Sequence, residues 1–250
     1  MPVWKDENDG SNRCPGIAVQ VVNFDHHAGP AFYASLPGDD ASIEARRVNG
    51  ATGRIRLVAC LLDHAVAMGS PILKFRHSPA GAALPIRLAR DRLGRPLLRL
   101  GDYRGPAISF STGGGSIWAA LCGDESDIGI DVAESGEFQA GFPVHRVFHD
   151  HELDHALRLT DGDWGEAAAL LWSVKEAVVK ALGCAFHLVA PRHVHVYPWA
   201  AMGGRFGFSV RLAKAAMGWL PTEADRSVRV RSFSRAKRWF SVALLSRQAS

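Results

Sequence analysis

The 250-residue chain has no apolar run approaching about eighteen residues, which argues against a transmembrane helix. Its first residues, Met-Pro-Val-Trp-Lys-Asp-Glu, lack the basic start and apolar stretch of a signal peptide. Cysteine is scarce: Cys14, Cys60, Cys122 and Cys184 lie far apart and never in CxxC spacing. That excludes a CxxC zinc site and a disulfide-dense scaffold, and the expectation is four small buried thiols in a reducing cytoplasm. No Gly-Lys-Ser/Thr completes a P-loop, and no G-x-S-x-G elbow presents a nucleophilic serine. Low-complexity tracts and short-period repeats are absent. Neither a helix-turn-helix, a zinc finger nor an RNP-type aromatic pattern is found, so no nucleic-acid partner is expected.

What is present is an ordinary core-forming composition, 47% apolar and 22% charged. The net charge of +4 conceals an uneven distribution. Between Asp124 and Glu166, twelve acids stand against Arg146 and Arg158 alone, a local charge of −10. From Arg226 onward there are seven bases and no acid. An acidic middle can hold a cation, and basic flanks can hold phosphates or an acidic partner; two solvated faces would give the same pattern.

Strands are expected at Ile17–Phe24, Ala107–Phe110 and Ser116–Cys122, and a helix over Ser42–Ala67 weakened by Gly50 and Gly53. Residues 70–106, rich in Pro, Gly and Arg, read as turns and short extended pieces. Gly123–Asp127 reads as the linker. Beyond it come a strand at Ile128–Val132, mixed helix and turn over Phe142–Leu159, and a strong helix over Gly165–Leu182. Four more strands follow at Val194–Tyr197, Arg205–Leu212, Ser227–Phe233 and Trp239–Leu244. The expectation is an α+β protein made of two similar halves, 1–123 and 124–250, each with strands around one main helix.

Three segments can carry chemistry. In the helix over Gly165–Leu182, Leu171, Val174, Val178 and Leu182 form one stripe, facing a core, while Trp172, Ser173, Glu176, Lys180 and Gly183 cluster opposite. Glu176 and Lys180 also have the spacing of an ordinary i,i+4 surface pair. The apolar run Ile128-Gly129-Ile130-Asp131-Val132 ends in a carboxylate at the mouth of a sheet. Asp131 with Glu176 would suit Mg²⁺, which takes one or two carboxylates plus substrate phosphates, with Lys175 or Lys180 on the remaining phosphates. Ser111-Thr112-Gly113-Gly114-Gly115 offers hydroxyls and open backbone N–H groups to an anion.

The order Gly94-Arg95-Pro96, Ser109-Phe110-Ser111-Thr112-Gly113, Ile128-Gly129-Ile130-Asp131, Phe148-His149-Asp150-His151-Glu152 and Trp172-Ser173-Val174-Lys175-Glu176-Ala177-Val178-Val179-Lys180 resembles the Sfp-type 4′-phosphopantetheinyl transferases. The resemblance runs from about Ser42 to Leu244, and its most specific string is the last. It implies a pseudo-twofold monomer that binds coenzyme A between its halves, moves phosphopantetheine to a serine of an apo acyl or peptidyl carrier protein, and releases 3′,5′-ADP. It further implies that Asp131 and Glu176 hold Mg²⁺, that Lys175 and Lys180 lie near the phosphates, and that Glu152 is the base. Arg46, Arg47, Arg54, Arg95, Ser111 and Thr112 become candidates for the coenzyme A side.

Two positions depart from the family pattern. Thr112 stands where a phosphate-binding histidine is usual, and Ala133 where many members have a third acidic ligand. An alternative is therefore a relative that binds coenzyme A or a carrier protein without transfer. The histidine pairs His145/His149 and His151/His155 offer a weaker zinc alternative, on different faces of any helix they share. The basic C-terminal hairpin, with Arg235 and Arg238, or the apolar stretch around Phe138 and Phe142, is the expected carrier dock.

Overall fold

The computed structural model describes residues 17–24, 30–37, 43–70, 84–123, 126–138, 141–184, 186, 188–202, 205–213 and 228–246. The chain begins with β1 (Val19–Asn23), β2 (Pro30–Pro37) and the long helix α1 (Ile43–Ala67). Three short strands follow, β3 (Ile86–Arg90), β4 (Pro96–Leu100) and β5 (Tyr103–Arg104), then the hairpin β6 (Ala107–Gly113) and β7 (Ser116–Cys122). The first large sheet has the antiparallel order β1-β2-β7-β6. One face of α1 is apolar, and its buried Leu57, Leu61, Leu62 and Ala65 pack on Phe32, Ala34, Ala119 and Leu121 of that sheet. β3-β4-β5 forms a separate meander whose Leu98 and Leu100 close the same core. The short extended pieces expected in this region thus pair into a sheet of their own.

The second half opens with β8 (Ser126–Glu134) and a 3-10 turn at Ser135–Glu137. Then come α2 (Val144–Val147), α3 (Asp150–Leu159), α4 (Trp164–Ala181) and the strands β9 (Val194–Met202), β10 (Arg205–Leu212), β11 (Val228–Arg235) and β12 (Arg238–Ser246). These strands and β8 make one antiparallel sheet, β8-β12-β11-β10-β9. The fold is α+β, with two helix-on-sheet halves of the same kind; one sheet has four strands and the other five. A further core joins them: Val22, Tyr33 and Ala120 from the first sheet meet Ile128, Ile130, Val242 and Leu244 from the second.

Several expectations need correction. Ser126 and Asp127, expected in a linker, are buried in β8. Asp131 lies inside β8 rather than at its end, because the strand pairs with β12 as far as Glu134. The three glycines after Thr112 form a two-residue hairpin turn rather than an anion cradle. Gly113 pairs with Ser116, and Gly114 and Gly115 both have positive φ, as a type I′ turn requires. Cys60 is disulfide-bonded, its partner lying outside the described residues, so the expectation of four thiols fails there; Cys122 and Cys184 are free.

Candidate active site

The helix α4 is held by a strong start: the Asp163 side chain accepts the N–H of Glu166 at 2.9 Å. The helix is not half-wet, as its periodicity suggests. Ser173 and Lys175, off the apolar stripe, are as buried as Val174 and Val178. Ser173 Oγ donates to the Leu170 carbonyl at 2.9 Å and meets Ser241 Oγ at 2.7 Å, so it belongs to the core of β12. Only the ridge Trp172, Glu176, Lys180 opens into a cavity of about 320 Å³.

Small residues bring this ridge onto β8. A Cβ at Gly129 would lie 1.8 Å from the Ala177 carbonyl oxygen and 2.6 Å from the Ala181 nitrogen. The bare backbone of Gly129 therefore lets α4 cross β8 in direct contact. Asp131 is two residues along and on the same strand face as Gly129. Glu176 and Lys180 immediately precede Ala177 and Ala181 on the helix. The close crossing and the charged cluster are two parts of one packing arrangement.

Lys180 Nζ donates to Asp131 Oδ1 at 2.6 Å and to the Ile130 carbonyl at 3.2 Å, and lies 3.4 Å from Glu176 Oε2. Ser111 Oγ donates to the same Asp131 oxygen at 2.9 Å. From the neighbouring β6 residue Ser109, a hydroxyl accepts the Ile130 N–H at 3.1 Å, which ties the edge of β8 to the first half. Burial pushes the Asp131 carboxyl up to about 6; Lys180 pulls it down and Glu176 pushes it up. The site is short of positive charge for two carboxylates.

The opposing wall comes from the first half and includes Arg54, Phe110, Ser111 and Thr112. The Arg54 guanidinium sits 5.6 Å from the centre of the Phe110 ring, and its Nε is buried without a hydrogen-bond partner. Thr112 is exposed at the mouth. Arg46 is in α1, but its side chain, like that of Arg47, lies outside the described part. Glu137, which sequence reasoning missed, also lines the cavity. Burial raises its carboxyl, partly offset by a backbone hydrogen bond. It comes from a 3-10 turn, and no spacing rule links it to Glu176.

Three expected residues are elsewhere. Glu152 and Lys175 form an ion pair of 2.8 Å with both side chains fully enclosed. Glu152 Oε2 accepts the His149 N–H at 2.9 Å, and Oε1 accepts the Val196 N–H at 2.8 Å. Lys175 Nζ donates to the carbonyls of Pro191 at 3.0 Å and Val194 at 2.7 Å. With every polar atom occupied, the pair ties α3, α4 and β9 together and does not reach the cavity; a base at Glu152 and a phosphate contact at Lys175 do not fit this geometry. Arg95 is bonded to Asp127 and borders a second cavity of about 140 Å³.

Of the histidine pairs, only His151 and His155 share a helix, α3; His145 is in α2 and His149 precedes α3, where its ring stacks on His195 with centroids 4.6 Å apart. Among the described residues no three histidine, cysteine or acidic groups are arranged to hold a metal ion. Phe138 is buried against Phe142 and Trp172, and Arg238 pairs with Glu134 at 3.3 Å, so neither is a free docking group. No described helix is long and apolar enough to cross a membrane.

No curated protein matches the sequence. Among solved structures, the chain is similar to the ACPS–CoA complex of Chronobacterium ammoniagenes, at 19% identity and TM-score 0.40, covering 50% of this chain and 98% of that one. An apo-ACPS structure from the same genus matches at 20% identity, TM-score 0.40 and the same coverage. The holo-[acyl-carrier-protein] synthase (AcpS) of Thermotoga maritima matches at 20% identity and TM-score 0.35, covering 49% of this chain and 64% of that one. Residues 127–239, which contain Asp131, Glu137, Glu152, Lys175, Glu176 and Lys180, match the family model of the 4′-phosphopantetheinyl transferase superfamily.

Proposed function

We propose that the protein is an Sfp-type transferase that moves the 4′-phosphopantetheine arm of coenzyme A to a serine of an apo acyl or peptidyl carrier protein. The observation that carries this reading is the meeting of Asp131, Glu176 and Lys180 in a cavity whose other wall is Arg54, Phe110 and Thr112. Halves 1–123 and 124–250 would each supply one wall, in a cytoplasmic monomer. Lys180 and Arg54 are the cations placed to hold phosphate oxygens, and Ser111 holds Asp131 in orientation.

Asp131 and Glu176 fit Mg²⁺: they are hard oxygen donors beside open volume, with buried negative charge that Lys180 only partly offsets. When bound there, Mg²⁺ would neutralise the pyrophosphate and polarise the reacting phosphoryl group. In the transfer, the serine oxygen bonds to the phosphorus that bears the pantetheine arm. The bond from that phosphorus to the bridging oxygen breaks, and 3′,5′-ADP leaves with the electron pair. Because Glu152 is enclosed, we assign the serine proton to Glu137, whose raised carboxyl is better matched to neutral pH than an ordinary one.

The test is the intact mass of several apo carrier proteins after incubation with the protein, coenzyme A and Mg²⁺. A gain of one phosphopantetheine is expected, abolished by EDTA and reduced at least ~100-fold in rate by Glu176→Gln. Glu137→Gln should slow transfer by about 10²-fold or more with coenzyme A affinity unchanged; a wild-type rate would remove Glu137 as the acceptor. Thr112, and a Lys180 whose ammonium group is already bonded to Asp131, favour a second reading in which ligands bind without transfer. Coenzyme A binding by calorimetry with no mass gain on any carrier would select it.

A further inference from the structure

We propose that the outer face of the β3-β4-β5 sheet is a docking surface for an acidic protein helix, an assignment that stands independently of the transfer reading. Residues 84–106 contain six arginines against two aspartates, a local charge of +4 that equals the net charge of the whole chain. Strand register concentrates it further. Arg87 is directly opposite Arg99, and Arg99 is directly opposite Arg104. Directly opposed residues share a face, so these three side chains stand in one rank across all three strands, about 5 Å apart at the backbone.

All three are exposed, and among the described residues none has an acid within ion-pair distance. Of the acids nearby, Asp127 takes Arg95, Asp91 Oδ1 accepts the N–H groups of Leu93 and Arg95 in the β3–β4 turn, and Asp102 is exposed between β4 and β5, paired with none of the three arginines. Like charges directly across a ladder weaken it, so sheet stability does not account for the rank. The opposite face, with Leu98 and Leu100 buried in the first core, anchors the sheet and holds the arginine stems at fixed spacing.

Along β4 the same outer face continues through Leu97 to Arg95. There it meets the smaller cavity, about 140 Å³, whose walls include Leu97, Pro106 and Ala107, with Arg95 and Arg104 beside them. A cationic rank therefore adjoins a small, partly apolar socket. On a helix, carboxylates at i and i+3 or i+4 stand about 5–6 Å apart, which matches the rank, and an apolar side chain on the same helix face can enter the socket. A nucleic-acid strand matches less well, because the sheet offers one aromatic, Tyr103, where base stacking uses several.

The test uses the full chain and two labelled probes: a helical peptide with glutamates at i,i+4 around one leucine, and a single-stranded oligonucleotide of similar charge. Peptide binding should weaken at least ~tenfold in Arg87→Glu/Arg99→Glu/Arg104→Glu at about 20 mM salt, with the difference shrinking at about 300 mM. Replacing the peptide leucine by serine should weaken binding to the native chain. Arg235→Glu/Lys237→Glu, on the other basic surface, should leave it unchanged. Circular dichroism of the triple variant establishes that its fold is kept. Peptide binding that survives the triple charge reversal, or is lost instead in the hairpin variant, would overturn the proposal. So would an oligonucleotide that binds more tightly than the peptide and is lost with the same three arginines.

Discussion

Glu152→Gln is expected to lower folding stability by about 3–5 kcal/mol, the cost of leaving a fully buried cation without its counter-ion. Lys175 is enclosed, and burial already depresses its ammonium group while Glu152 pulls it back up. Removing that pull leaves the desolvation without its main compensation. For a chain of this size the melting temperature should fall by about 10 °C. A lysine whose folded-state pKa lies below its unfolded value is destabilising at pH values under the folded pKa. The deficit is relieved as pH rises from the folded toward the unfolded pKa, because the unfolded chain then binds more protons. The Glu152→Gln variant should therefore regain stability on going alkaline more steeply than the wild type. Glu152→Gln/Lys175→Met should regain most of it at neutral pH, since the uncompensated charge is gone. Urea titrations at two pH values read all three outcomes. If the single and double variants are equally unstable, the damage lies in packing and hydrogen bonding rather than in the stranded charge.

Much of the site was legible because one helix carries its signature. Trp172, Glu176 and Lys180 fall on one ridge at helical spacing, and that ridge does line the cavity. What periodicity does not reveal is the surroundings of the other faces. Lys175 looked free for a phosphate because helical patterning assumes a wet side, whereas α3 and β9 cover it. Glu152 looked like a base in an acidic stretch, but its position three residues into α3 is that of a capping residue, and His149 N–H takes one of its oxygens. The strands β3, β4 and β5 read as short extended pieces among turns, but nothing local in their arginines and glycines reveals the pairing whose register turns those arginines into one ordered rank. Glu137 reaches the cavity from a short turn, a placement fixed by tertiary packing alone.

Gly129→Ala should cost at least about 3 kcal/mol, at or beyond the usual range for overpacking, because what the new methyl meets is backbone. The obstruction is the Ala177 carbonyl oxygen at 1.8 Å and the Ala181 nitrogen at 2.6 Å. No rotamer change relieves either contact, so α4 must retreat from β8 by roughly an ångström or more to restore van der Waals spacing. The retreat acts on chemistry as well as on stability. Asp131 travels with the strand, while Glu176 and Lys180 travel with the helix, and the 2.6 Å bond from Lys180 to Asp131 spans the gap that opens. Transfer should consequently fall by about 10²-fold even at temperatures where the variant remains folded, a sensitivity known for misplacements of this size. Ala177→Gly in the same background should not rescue it, since the clash is with the carbonyl and not with the alanine methyl. A Gly129→Ala protein with wild-type melting temperature and full transfer would show that the helix does not depend on a bare backbone at this crossing.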